Sequence, residues 1–377
     1  MLKTPRPDSQ LRLGVLLSNP PSSRAVQIAR TAEQEGLGGL WLSEDLWHRG
    51  AVPLAAACAM VTGTLHIGVG VLNPYSRHPT QIAVDYGTLA ELSGGRVTVG
   101  IGAGVEAWVK QMGLRYASPR TTLAEAAVIV KELLSQGRSS YRGKTFSLDD
   151  VSLGFEVSPA PPVLLGATRE QSLRTCGEIG DGWIASVLEP VERIARGLRL
   201  IAEGASRANR SLDGFRVVQF VHFCCDNDSA RARSLLKPIV GRSLRGEVRL
   251  FQEGKLELGR RDYLAAVSPG EYEVTLRRLA EGGDPSEVVP DALVNELAVS
   301  GTAQECAEAL RRYADVGVRE FAFLMPEGAI EAGMRTIGQE VAPLLGVGHG
   351  GAASDVLTSP ERASGPGNGE GSSVRES

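Results

Sequence analysis

LHIGVGVLNPYSRHPTQIAVDYGTLAELSGGRVTVGIGAG, Leu65–Gly104, is the stretch whose reading decides the fold. Leu65 to Leu72 is short, apolar and rich in Val and Ile, as a buried strand requires. Thr80 to Leu92 has helical periodicity, and Pro79 suits the first turn of that helix. Arg96 to Ile101 (RVTVGI) is a second buried strand. A strand, a crossover helix and another strand make a parallel pair, because a hairpin would need only a short turn.

The same rhythm extends in both directions. Upstream, Leu11 to Leu17 reads as a strand and Ser23 to Glu35 as a helix with Ala25, Ile28, Ala29 and Ala32 on one face. Gly36 stops that helix, Gly39 to Ser43 is the next strand, and Ala51 to Thr62 is a helix of small residues. Downstream come a helix at Thr121 to Leu134 and a hairpin or loop at Tyr141 to Leu148. A strand at Pro162 to Gly166, a helix at Glu170 to Ile179, a strand at Gly182 to Ser186 and a helix at Val191 to Ala208 follow. Phe215 to Cys224 is the seventh strand. Thr302 to Ala314 and Arg319 to Leu324 form the eighth unit, and a last helix covers Ala329 to Val341.

Eight strands separated by helices predict a closed (β/α)8 barrel of TIM type rather than an open doubly wound sheet. Residues 1–345 are expected to form this single barrel, with a helical insertion at about 226–300. The insertion follows strand seven, at the end of the barrel where lids and substrate walls lie. The tail from Gly346 to Ser377 has few large apolar groups and is expected to be disordered.

Composition excludes several classes. A 377-residue chain, 42% hydrophobic and 22% charged, is long enough to bury a large core. A net charge of -4 with scattered Lys and Arg leaves no footprint for nucleic acid. No run approaches the roughly 18 apolar residues that span a bilayer, and the N-terminus lacks a signal-peptide core. The expected location is the cytoplasm, with no membrane partner. Cys58, Cys176, Cys224, Cys225 and Cys306 form no metal-ligand pattern, so no metal is expected and the thiols are read as reduced. On a strand, Cys224 and Cys225 would point to opposite faces.

Barrels of this kind carry their chemistry at the C-terminal ends of strands. Strand two ends in Glu44 and Asp45, followed by Trp47 and His48. Adjacent acids there can bind a polar ring edge or move a proton; capping of the next segment is the structural alternative. Gly68 and Gly70 inside strand three mark a bulge, an unusual peptide or close ligand approach. Val71 and Asn73 follow at the rim, and His78 reads as a helix cap. Strand four ends in Gly100, Gly102 and Gly104, which lacks the spacing of G-x-G-x-x-G, and Glu125 sits in a helix pattern. A dinucleotide site is therefore not supported; the glycines suit a flat ligand against backbone, with Glu106 and Trp108 near it. Gly166, Ala167 and Thr168 precede a helix whose free N–H groups suit a phosphate, and Ala185 ends strand six beside them. No nucleophile-elbow, zinc-protease or P-loop pattern is present.

The blocks GLWLSED (Gly39–Asp45), GVGVLNPYSRHP (Gly68–Pro79) and LAELSGGRVTVGIGAG (Leu89–Gly104) together carry a resemblance. PPVLLGATREQSLRTCGEIGDGWI (Pro161–Ile184) and VSGTAQECAEALRRYADVGVREFAF (Val299–Phe323) extend it. The chain resembles the luciferase-like monooxygenase superfamily, in the branch of coenzyme F420-dependent oxidoreductases that includes methylenetetrahydromethanopterin reductase. The resemblance implies an insertion-bearing barrel with the cofactor ring over strand three, where a non-proline cis peptide falls at Gly70–Val71. It implies that Glu44, Gly70, Val71, Asn73, Gly102, Gly104 and Ala185 line the cofactor, with phosphate contacts near Gly166, Ala167 and Thr168. Glu44, Asp45, His48 and Glu106 are then the candidate proton donors; Glu44 stands where many relatives have Asp, and Asp45 where many have His. Hydride transfer between the deazaflavin and a small C=N or C=C substrate is the implied chemistry. FMN-dependent oxygenation and a non-catalytic partner barrel are the alternatives. A homodimer built on the helices Ala51 to Met60 and Thr80 to Leu92 is also implied.

Overall fold

In the computed structural model, residues 11–254 and 261–348 are described. The strands are β1 (Arg12–Leu17), β2 (Gly39–Leu42), β3 (His66–Leu72), β4 (Val97–Gly102), β5 (Arg138–Arg142), β6 (Ser147–Ser152), β7 (Val163–Gly166), β8 (Gly182–Ala185), β9 (Arg216–Cys225), β10 (Ala298–Gly301) and β11 (Glu320–Leu324). Eight of them pair in parallel in the order β1-β2-β3-β4-β7-β8-β9-β11, and β11 returns to β1 to close the barrel. All eight barrel strands fall on the runs read from the sequence. β5 and β6 form the expected hairpin outside the barrel. Its turn is pinned by Glu125, whose carboxylate accepts the Lys144, Thr145 and Phe146 backbone N–H groups at 2.7, 2.9 and 3.0 Å. Glu125 is thus an internal anchor, which removes the last residue a dinucleotide reading had available.

The expected insertion is helical at Ser229–Ser243, Arg245–Gln252, Pro269–Ala280, Pro285–Val288 and Asp291–Leu297. It then ends in β10, a strand the sequence reading did not separate from the helices. β10 pairs with His222–Cys225, along the edge of β9 that β8 leaves after Gln219. Leu236, Val240, Tyr272, Leu276, Leu293 and Leu297 give this segment its own buried core. Most of the expected tail, 349–377, lies outside the described residues, as do 255–260.

Alternation along the strands divides the core in two. Leu13, Val15, Leu40, Ile67, Val99, Leu165 and Phe321 point outward and pack under the helices. Leu16, Trp41, Leu164, Ile184, Val218, Phe220 and Ala322 point inward and fill the barrel. Trp41 is fully buried, and its ring meets Phe220 edge-on at 5.4 Å. They fit because the inward positions beside them are glycine. A Cβ at Gly68 would lie 2.5 Å from the Trp41 ring, and one at Gly70 2.7 Å from Phe220.

The floor of the barrel is polar. Glu320 accepts from Trp41 Nε1 at 2.8 Å, from Arg216 Nη2 at 2.6 Å and from Arg12 Nη1 at 3.1 Å. Thr98 Oγ1 takes Arg216 Nη1 at 2.7 Å and lies 2.5 Å from His66 Nε2. Burial pushes the Glu320 carboxyl up, but Arg216 and Arg12 outweigh it and hold the group below the ordinary carboxylate range. Burial, reinforced by the same two arginines, pushes His66 down to about 3.

Two outcomes follow for stability. Glu320→Gln leaves two guanidinium groups without their counter-charge and should cost about 3 kcal/mol at neutral pH, read by chemical denaturation. His66 stays neutral in the fold while the unfolded chain takes up a proton near pH 6.5, so stability should fall as pH drops from 6.5 towards 3. The expected slope is about 1 kcal/mol per pH unit. His66→Gln should flatten it in a series of thermal melts.

Candidate active site at the barrel mouth

The C-terminal strand ends form the mouth. In β3 the Gly70–Val71 peptide is cis, and the register with β4 shifts between Val69 and Leu72. The shift turns Val71 inward among Leu16, Trp41 and Phe220. A Cβ at Gly102 would lie 2.4 Å from Val71 Cγ2, and one at Gly166 2.8 Å from Val71 Cγ1. The mouth therefore has one small apolar side chain at its centre, flanked by bare backbone of β4 and β7. Asn73 lies at its edge. Its Oδ1 accepts the Tyr75 N–H at 2.9 Å, but its buried Nδ2 has no hydrogen-bond partner. Gly104, at φ 69, packs on that amide so closely that a Cβ would lie 2.2 Å from Nδ2. A buried donor left open costs about 1–3 kcal/mol, and a ligand acceptor would recover it.

The candidate acids do not share one environment. Glu44 Oε2 accepts the Ala51 N–H at 2.7 Å, at the start of the helix Ala51–Met60, and Oε1 lies 3.4 Å from Arg77 Nη2. Arg77 in turn meets Asp85 at 2.6 Å. Glu44 thus caps a helix whose Gly50 cap residue has no side chain to offer. Asp45 accepts from Ser43 Oγ at 3.1 Å, and its Oδ2 lies 3.8 Å from His48 Nδ1, with both side chains about one-third exposed. Glu106 opens a short helix, Glu106–Gln111, that the sequence reading missed. Its exposed carboxylate pairs with Lys110 at 2.7 Å, and hydrogen bonding to that lysine holds it below the ordinary range. That arrangement keeps Glu106 ionised and offers an acceptor rather than a proton donor.

In the phosphate-type loop, the Ala167 carbonyl accepts Trp183 Nε1 at 2.9 Å and the Thr168 carbonyl accepts Arg193 Nη2 at 3.3 Å. The following helix, Glu170–Ile179, has no side-chain cap on its first N–H groups. The Ala167 and Ala185 side chains point into the outer core, so these two residues can offer only backbone to the mouth.

Two residues outside the expected set also stand here. Trp47 is 63% exposed, adopts φ 72, and donates Nε1 to Gln111 Oε1 at 3.1 Å, tying the β2 loop to the short helix. An aromatic beside strand-end acids is the signal that could have marked it. His222 sits two positions above Phe220 on the inward side of β9; its Nε2 lies 3.1 Å from Ser243 Oγ, and burial pushes it down to about 4. Its role as a link between the barrel and the helix Ser229–Ser243 has no local sequence signal. Shallow grooves of about 420 and 590 Å³ lie on the flank, one between His78–Val84 and Ser147–Phe155, the other between Leu134–Gly137 and Phe155–Ala160. His78 itself caps the helix Pro79–Ser93.

Glu44→Ala should cost about 1–2 kcal/mol of stability through the lost cap, with Glu44→Gln milder, in equilibrium denaturation. Gly102→Ala should cost about 1–3 kcal/mol because Val71 must move.

The luciferase-like monooxygenase family model matches residues 5–320. The 5,10-methylenetetrahydromethanopterin reductase of Methanolobus tindarius is 26% identical over 324 residues, covering 85% of this chain and 96% of that protein. The F420-dependent hydroxymycolic acid dehydrogenase of Mycobacterium tuberculosis is 31% identical over 300 residues, 75% of this chain and 79% of that one. The solved F420-dependent tetrahydromethanopterin reductase of Methanopyrus kandleri superposes with a TM-score of 0.77 at 22% identity, covering 89% of this chain and 99% of that chain.

Proposed function

The chain belongs to the luciferase-like monooxygenase family, and on that premise we propose that it is an F420-dependent oxidoreductase acting on a small organic substrate. The observation that carries this reading is the bed at the mouth: Val71 on its cis peptide, flanked by Gly102 and Gly166. A flat tricyclic ring needs a low, even floor, and Val71, seated in the space that the two glycines leave, gives the mouth such a floor. The unpartnered Asn73 amide supplies a donor at the edge of the same bed. The uncapped start of the helix Glu170–Ile179, beside Gly166–Thr168, suits the cofactor's phosphate. The relatives' names, one a reductase and one a dehydrogenase, agree with redox chemistry of this kind.

Bound there, F420 supplies a two-electron hydride exchange at C5. The protein's own task is orientation, exclusion of water and proton handling. Asp45 and His48 are the accessible acid and imidazole beside the bed, with Oδ2 3.8 Å from Nδ1, and are the groups we assign to proton handling. Glu44, committed to Ala51 and Arg77, serves to orient. In this proposal the helix Ser229–Ser243, linked to β9 through His222, walls one side of the substrate space, and a C=N or C=C bond is the substrate class we assign.

A homodimer is part of the same proposal. Val84 and Leu92 are exposed apolar residues on one face of the helix Pro79–Ser93, and Met60 ends the neighbouring helix at 64% exposure. Val84→Glu combined with Leu92→Glu should shift the protein to monomer in sedimentation velocity. An unchanged state would reject this face.

Spectral titration tests the cofactor. F420 should bind at least 10-fold more tightly than FMN; the reverse order would move the protein to flavin chemistry. Asp45→Asn should lower turnover of an imine or enone about 100-fold or more with F420 affinity nearly unchanged. Intact affinity and turnover in the paired Glu44→Gln, Asp45→Asn variant would remove both acids from the mechanism.

A further inference from the structure

Away from the bed, two cysteines meet where the inserted segment leaves and rejoins the barrel. Cys225 is the last residue of β9, and Gly301, which ends β10, is its register partner. The Gly301 carbonyl accepts the Asp226 N–H at 3.0 Å and the Cys306 thiol at 3.7 Å. Cys306 lies in the first turn of the helix Ala303–Asp315. The two thiols therefore flank one peptide group, and both pack in the same outer core cluster. Their exposure differs: Cys306 is fully buried, whereas Cys225 is partly open to solvent.

We propose that Cys225 and Cys306 are a redox modification site, forming an intrachain disulfide when the protein meets hydrogen peroxide. The accessible sulfur reacts first. The Cys225 thiolate attacks one peroxide oxygen; an S–O bond forms, the O–O bond breaks, and hydroxide leaves as water after taking a proton. The Cys306 sulfur then attacks the Cys225 sulfenic acid; the S–S bond forms, the S–O bond breaks, and the thiol proton leaves with the second water. Two thiols and one peroxide give one disulfide and two waters. The contact with Cys306 holds the Cys225 thiol below its ordinary range, which favours it as the attacking group. Burial instead pushes Cys58 and Cys224 up to about 11 and Cys176 higher still.

The crosslink would close a loop of roughly 80 residues. That loop holds the whole inserted segment, whose two ends are otherwise joined without a covalent bond, by β9–β10 pairing and by Arg233 and Lys237 on Asp291. Oxidation thereby staples the substrate-side segment to the barrel without touching the bed, and its readouts are independent of cofactor and turnover.

The test treats the full-length reduced protein with equimolar hydrogen peroxide. Titratable thiols in denaturant should fall from the five of the free cysteines to three. A non-reducing tryptic map should show the Cys306 peptide bonded to the peptide bearing Cys225. Cys224→Ala should keep the crosslink, and Cys225→Ser should abolish it. The melting temperature should rise by about 5 °C and return with dithiothreitol. A Cys224–Cys225 bridge, an intermolecular dimer, or Cys225 overoxidised with Cys306 still free would each overturn the proposal. The map of the Cys224→Ala variant, in which a bridge to the Cys306 peptide can come only from Cys225, decides the matter even if Cys225→Ser fails to fold.

Discussion

One buried carboxylate sets the height of everything above it. Glu320 holds Trp41 by its indole N–H at 2.8 Å and is itself held by Arg216 and Arg12. With the indole fixed from below, its ring fills the inward space that Gly68 leaves and meets Phe220 edge-on. Phe220 in turn occupies the space at Gly70, the first residue of the cis peptide. Val71 then comes to rest between Gly102 and Gly166. Floor, filling and bed form one stack of contacts. Such a buried ion cluster contributes specificity more than net stability, because desolvation offsets much of its Coulomb gain. Its effect here is to leave Trp41 one position.

The filling also explains the shape of the mouth. Large rings occupy the barrel interior and close it below the rim. Its walls come from connecting segments: the loop with Trp47, the short helix tied to it through Gln111, and the helices after β9. This is the usual division of labour in barrels, a rigid strand platform with variable loops above it.

The acids illustrate how one strand end serves two purposes. Glu44 stabilises a helix start and pairs with Arg77, while its neighbour Asp45 stays near His48 and solvent. The backbone reverses direction after β2, so adjacent side chains enter different surroundings. Glu106 is separated from both by its pairing with Lys110.

The sequence by itself determined the barrel. Eight apolar runs, nearly all separated by helical periods, favour a closed barrel over an open sheet, because strands joined by helical crossovers run parallel and are buried on both faces. It also marked where backbone must come close to something, through paired glycines inside strands at Gly68–Gly70 and Gly100–Gly102. Only the tertiary structure decided what that something is on the protein side. Trp41, Phe220 and Val71 are 30 to 179 residues apart in pairs along the chain, and nothing local reveals that they stack. The floor of Arg12, His66, Thr98, Arg216 and Glu320 was equally invisible: each is a single polar residue at or near the start of its strand, and their meeting follows from the register of five strands. The same holds for β10, four residues whose strand character comes from the free edge of β9, and for Cys225 and Cys306, brought together by that pairing. Periodicity is a local property and is legible in the chain; register and closure are properties of many strands together and exist only in the fold.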